Sequence, residues 1–464
     1  MDQILMATQL DYGVPAHHPS TINSPARAFS SLAWKLSAGL NAASKMKNTQ
    51  SVLRQILQPV VIVGALGYFV DVYDLILFSI LRIPSLKSMG FSGESLLSNG
   101  VWLLNLQMIG MLAGGIFFGF LGDRVGRVAL LFGSILLYSI ANIANGFVHS
   151  SIEAYGVWRF IAGFGLAGEL GGGITLVTEV LPKHLRGYGT TVISTVGVFG
   201  AVIGGLVAQK VDWHSAYFIG GGLGLVLLVL RMSVAESSMF RQLKAGSAHV
   251  SRGNFFMLFT NFTRFMKYLR CILVGLPLWC IVGVLVAFSP EIATALNIQG
   301  QVKVAQAIAF CYLGITFGGF ASGYFSQLLR SRRKVLFTFL VFTTLAMAGY
   351  FLCSGQSDGT FYLAILFMGF GVGYWTIFVT IAAEQFGTNI RATVATTVPN
   401  FVRGATVPVT TAFQFLKSHK IGGENLSAAA SAALVGTVCL LIAFWAWSGL
   451  EETHGKDLDY LEPN

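Results

Sequence analysis

Charge is what this sequence has least of. Of its 464 residues only 11% are Asp, Glu, Lys or Arg, against about 25% in a soluble domain. A chain so poor in charge, with 54% hydrophobic residues, is solvated mostly by lipid, which excludes a water-soluble globular fold. Catalytic signatures are missing too: there is no G-x-S-x-G, no H-E-x-x-H and no phosphate-cradling glycine loop, and the histidines lie mostly in tails and loops. An enzyme is therefore not expected. The five cysteines stand singly in apolar segments, a spacing that supports neither a metal site nor a disulfide framework and suits small core residues. No cofactor is implied. Residues 1–58 contain no 18-residue apolar run, so they do not read as a signal peptide. They are expected to be disordered, or to form a short amphipathic interfacial helix over "AFSSLAWKLSAGL", and Met46 offers a second plausible start.

What is present is a succession of apolar runs, each near the ~20 residues that cross a bilayer. They fall at 59–81, 99–121, 128–147, 154–177, 188–209 and 215–232, then at 271–290, 304–325, 335–353, 360–382, 393–416 and 429–450. The expected fold is all-α and polytopic: 12 transmembrane helices in two six-helix halves, 59–232 and 271–450. A charged central loop, 233–270, joins the halves, and 451–464 forms a C-terminal tail. With the N-terminus inside, twenty Lys and Arg collect on the cytoplasmic side and six on the other (Arg82, Lys87, Lys210, Lys303, Lys417 and Lys420). That asymmetry predicts cytoplasmic termini, and it accounts for the net charge of +10 without nucleic acid as a partner.

The halves read as copies. Glu179 precedes Arg186 by seven residues after span 4, and Glu384 precedes Arg391 by seven after span 10. "GFLGDRVGR" follows span 2 and "GYFSQLLRSRRK" follows span 8. Parallel repeats of this kind place a transporter's site between two moving halves.

Five charges fall well inside the spans: Asp71, Asp74, Arg159, Glu169 and Arg403. Such residues face a bundle interior or an aqueous cavity, never lipid. Asp71 lies 12 residues into span 1, about 18 Å deep, and Asp74 is one turn further on the same face. Two occluded acids do not both ionise readily, so a shared or exchanged proton is expected, with Glu169 as a third proton-coupling candidate. An ion pair with Arg159, or cation binding, would explain the same residues. Arg403 cannot shed its charge, so it requires an anion, either a substrate's or a buried acid's. The repeat-equivalent position is Val198, so the architecture alone does not call for an arginine. Arg159, Asn105, Gln107, Tyr374, Trp375 and Asn400 are further candidates to line a cavity for a small polar organic molecule, or to act as interhelical ties.

"GFLGDRVGR" matches the loop signature between spans 2 and 3 of the major facilitator superfamily at Gly119, Asp123, Arg124, Gly126 and Arg127, and the resemblance extends over all 12 spans. It implies the major facilitator fold and a gating role for this loop, with Arg124 and Arg127 pairing Glu179 across the cytoplasmic face. The second copy has Gln327 in place of Asp123. Ala167-Gly168-Glu169-Leu170-Gly171-Gly172 resembles span 4 of the metabolite:proton symporters. "DVYD" is similar to a span-1 element of that group and of the phosphate:proton symporters, with Asp71 where the former usually have Glu. The resemblance implies a secondary active transporter: a monomeric symporter taking up a small anionic or zwitterionic metabolite with protons across a bacterial inner membrane. Its partners are then that molecule, protons and the lipid bilayer. The alternative is a proton-driven exporter of a siderophore-like compound or organic acid.

Overall fold

The computed structural model describes residues 58–125, 127–169, 181, 186–235, 255–421, 424–455, 460 and 462. The expectations for the N-terminal tail, for most of the central loop, and for Gly126 and Glu179 lie outside these residues. Over the described residues each of the twelve apolar runs is largely helical. Spans 1 to 3 are Pro59–Ser88, Gly93–Val125 and Arg127–Gly146. Span 4 is described over Ile152–Leu166, and spans 5 and 6 are Arg186–Val207 and Trp213–Ala235. In the second half, spans 8, 9 and 12 are Val304–Leu328, Arg332–Leu352 and Ala428–Ser448.

Spans 7, 10 and 11 are interrupted. Span 7 is assembled from Phe262–Leu273, Leu276–Cys280, a π-helical turn Ile281–Val286 and Ser289–Ala295. Its helix begins within the stretch read as loop, because Phe262–Leu273 is amphipathic and lays its polar face on the C-terminal tail. Span 10 breaks into a 3-10 turn at Val372–Tyr374 between Asp358–Gly371 and Trp375–Glu384. Span 11 comprises Thr388–Gly404 and Thr406–Ser418. Among the described residues eight helices are long and apolar enough to cross a membrane; spans 3 and 5 contribute the shorter apolar stretches Leu131–Gly146 and Val192–Val207.

The helix pairs within each half are joined where glycine removes the side chain. A methyl group on Gly110 or Gly114 of span 2 would run into the carbonyl oxygens of Phe160 and Phe164 on span 4, and one on Gly163 into that of Gln107. The second half repeats the device 204 to 206 residues on: Gly314 and Gly318 of span 8 lie against the carbonyls of Leu366 and Phe370, and Gly369 against that of Cys311. Without a hydrophobic drive between helices in lipid, such close backbone approach is what holds them.

The C-terminal residues are seated on the cytoplasmic ends of the second half. Glu452 accepts hydrogen bonds from the Ser331 hydroxyl and from the amides of Arg332 (2.9 Å) and Arg333 (3.2 Å), capping span 9. Glu462 accepts from the Gly387 amide at 3.2 Å, ahead of span 11, and lies 3.6 Å from Arg264. Partial burial alone would raise the Glu452 pKa, but the bonds from Ser331, His454, Arg332 and Arg333 outweigh it and hold the carboxyl below its ordinary value. A depressed pKa contributes stability at neutral pH that disappears as pH falls through it. Glu452→Gln is expected to lower the thermal midpoint at pH 7, at a cost of about 0.5–1 kcal/mol, and the gap to wild type should close in acid. A pH series of melting curves checks this.

Candidate functional site

Span 1 bears on both halves at once. Asp71 and Asp74 are fully buried, but they look in different directions. Asp71 faces the second half, where its Oδ2 lies 3.5 Å from Arg403 Nη2. Asp74 faces span 6: a methyl on Gly220 would meet its Oδ1. It lies against Asn142 and in the field of Arg159. The 60° between them on the helix thus separates a residue at the seam between halves from one inside the first half.

Around Arg403 the walls are aromatic. Its guanidinium carbon is 6.0 Å from the Trp279 ring centroid, and the Tyr68 hydroxyl lies beside it. Trp375 donates from Nε1 to that hydroxyl at 3.2 Å, joining spans 1 and 10, and its ring stacks on Phe378 at 5.0 Å and 17°. Arg403 is 1% exposed, and its Nε and Nη1 make no hydrogen bond.

The other sequence candidates occupy distinct places. Arg159 donates to Asn142 Oδ1 at 2.7 Å and packs over the Tyr217 ring at 4.7 Å, within the first half. Glu169 is held by Arg231 of span 6 in a two-pronged buried ion pair, not by Arg159 of its own helix. Asn105 is a tie between halves, accepting from Thr410 at 2.6 Å and donating to Thr411 at 3.3 Å. Asn400 is another, donating to the Ala167 carbonyl at 2.9 Å. Gln107 binds the Leu75 carbonyl, and the Tyr374 hydroxyl donates to the Val274 carbonyl at 2.9 Å, so both brace single halves.

On the cytoplasmic side Glu384 pairs with Arg332 at 2.8 Å. Glu384 is the repeat equivalent of Glu179, 205 residues earlier. Arg391 donates to the Phe386 carbonyl. Gly119, Asp123, Arg124, Arg127 and Arg186 lie on helices whose side chains there are not among those described.

Hydropathy placed Arg82 in an outer loop. Span 1 instead continues to Ser88, and Arg82 is buried at its outer end. It donates to Glu291 at 2.7 Å and to the Ala287 carbonyl at 3.2 Å, and lies 4.4 Å over the Phe288 ring. All three partners belong to span 7, so one arginine closes the outer seam. Tyr68, Trp279 and Arg231 also escaped the sequence reading. Arg231 had a detectable signal: a second in-span arginine on the inward side to balance Glu169.

A helical membrane bundle with buried, oppositely charged groups at the seam of two repeated halves belongs to the class of secondary transporters, which are not enzymes. The family model described as Major Facilitator Superfamily matches residues 64–406, and the chain belongs to that family. The niacin transporter NiaP of Acinetobacter baylyi is 25% identical over 366 residues, 71% of this chain and 80% of the relative. The 4-hydroxybenzoate transporter PcaK of Pseudomonas putida is 32% identical over 143 residues, 30% of this chain and 32% of the relative. The crystal structure of a D-xylose-proton symporter superposes with a TM-score of 0.65 at 17% identity, covering 86% of this chain and 99% of that one.

Removing the outer latch is expected to expose the segment beneath it. In a variant with its native cysteines replaced and carrying Ser289→Cys, a membrane-impermeant maleimide applied from outside should react about tenfold faster once Glu291→Ala is added, since ~1.4 kcal/mol of lost pairing shifts a two-state seam that far.

Proposed function

We propose that this protein imports a small anionic metabolite together with a proton across a bacterial plasma membrane, by alternating access between its two halves. The observation that carries this is the Asp71–Arg403 pair, a buried ion pair whose members come from opposite halves. A charge left unpaired in such a site costs several kcal/mol, so the halves close only over a neutral site. Without cargo, Asp71 neutralises Arg403. An arriving anion takes over Arg403, leaving Asp71 without a counter-charge, and the site regains neutrality when Asp71 accepts a proton. Anion and proton therefore enter the closed state together or not at all, a one-to-one symport. An exporter exchanging the anion for a proton would pass through one closed site with an excess positive charge and another with an excess negative charge, so symport is favoured.

Asp74 and Glu169 flank this centre, one toward the outer end and one toward the cytoplasm; Asp74 serves as a proton station, while Glu169 stays paired with Arg231. Arg82–Glu291 forms the outer gate and Arg332–Glu384 belongs to the inner one. The two named relatives transport niacin and 4-hydroxybenzoate, both ring-bearing acids, and the aromatic walls around Arg403 suit such a shape. The domain organisation this implies is a first half carrying the proton acids, a second half carrying the anion-binding arginine, and a cytoplasmic linker and tails.

Proteoliposomes loaded at alkaline pH and diluted into acidic buffer should accumulate labelled nicotinate or 4-hydroxybenzoate, and a protonophore should abolish this. Asp71→Asn should lose accumulation while retaining exchange of internal for external substrate. Accumulation that ignores the pH gradient would overturn the reading.

A further inference from the structure

Trp279 stands between two points at which spans 7 and 11 touch. A methyl on Gly275 would lie 2.8 Å from Val402 Cγ1, and one on Gly283 would lie 2.6 Å from Thr406 Cγ2. Arg403 falls between Val402 and Thr406, so the glycine contacts bring the indole to the guanidinium. The indole is 3% exposed, yet its Nε1 has no hydrogen-bond partner, in contrast to Trp375, whose Nε1 is bound by Tyr68. Arg403 Nε and Nη1 are also unpartnered, and Nη2 reaches Asp71 only at 3.5 Å. Buried donors left without acceptors cost about 1–3 kcal/mol each, and in native proteins they call for an explanation. Three belong to this one pair of side chains, whose guanidinium carbon and ring centroid are 6.0 Å apart. Asp71 Oδ1 is a buried acceptor left over beside them, and on span 11 so are Asn400 Oδ1 and Thr406 Oγ1. The π-helical turn begins two residues after Trp279, at Ile281, and such turns occur frequently at functional sites.

We infer that Trp279 Nε1 and the free edge of Arg403 form a carboxylate clamp, the arginine donating to one carboxylate oxygen and the indole to the other, for a ligand whose planar ring lies among Trp279, Tyr68 and Trp375. This rests on the reading of Arg403 as the anion site and adds a specificity determinant to it. Arg403 supplies charge, which attracts any anion. Trp279 supplies a second donor at a fixed angle, which rewards a group with two acceptor oxygens and penalises a carboxamide, whose NH₂ would face the indole N–H.

The test is equilibrium binding to the purified full-length protein of two acid–amide pairs, benzoate with benzamide and nicotinate with nicotinamide. Wild type should prefer each acid. Trp279→Phe keeps an aromatic ring and removes the donor. It should weaken the acids about tenfold, as expected for one hydrogen bond to a charged group, leave the amides within about twofold, and keep the ligand-free melting temperature. Trp279→Tyr offers a displaced O–H and should show an intermediate preference, which keeps the test open if the phenylalanine variant does not fold. Equal loss for acids and amides, or an unchanged preference in either variant, overturns the clamp and leaves the anion site standing. Failure of wild type to bind either acid overturns the anion-site reading, and the clamp with it.

Discussion

The constraint on which the rest depends is the cost of a lone charge in a dry, low-dielectric seam. Asp71 and Arg403 are each about 1% exposed or less and come from opposite halves, so neither half is electrically complete alone. Other buried charges obey the same rule inside a half: Glu169 has Arg231, and Arg159 has Asn142 and the face of Tyr217. Those pairs hold helices together through any movement of the halves. The pair at the seam is different, because separating the halves separates its members.

Strength is distributed accordingly. Within a half, spans 2 and 4 and spans 8 and 10 meet at glycine and carbonyl, with no side chain to rearrange. Between halves, besides the approach of Gly205 to the Ala305 carbonyl, there are side-chain bonds that form and break singly: Arg82 with Glu291, Asn105 with Thr410, Asn400 with the Ala167 carbonyl, and Trp375 with Tyr68. The interruptions in helical geometry near the site, the π turn of span 7 and the 3-10 turn of span 10, both belong to the second half. They adjoin the two tryptophans that wall the arginine.

Much of this was legible in the sequence, for physical reasons. A span needs a local run of apolar residues, so hydropathy finds it; an intramembrane acid or arginine stands out against such a run. Hence Asp71, Asp74, Glu169 and Arg403 could be named, with either a substrate anion or a buried acid as the partner of Arg403. The structure brings Asp71 to it. Partners themselves were not legible, since Arg82 and Glu291 are 209 residues apart and Glu169 and Arg231 are 62 apart. The end of span 1 was misjudged because hydropathy cannot tell a charge in a loop from one buried by a neighbour. Trp279 gave no signal, since an indole with a satisfied N–H and one without it read alike.

The doubled glycine packing has a further consequence. Because Gly110, Gly114 and Gly163 do in one half what Gly314, Gly318 and Gly369 do in the other, the scaffold of both copies rests on atoms common to every peptide unit. The side chains facing the seam were thereby released from duty as mortar, and the copies could diverge there without loss of the fold. Val198 and Arg403 record that divergence at equivalent positions. A duplicated framework, near-symmetric in shape, has in this way acquired an electrical polarity at the depth of the Asp71–Arg403 pair: acid on one bank, base on the other.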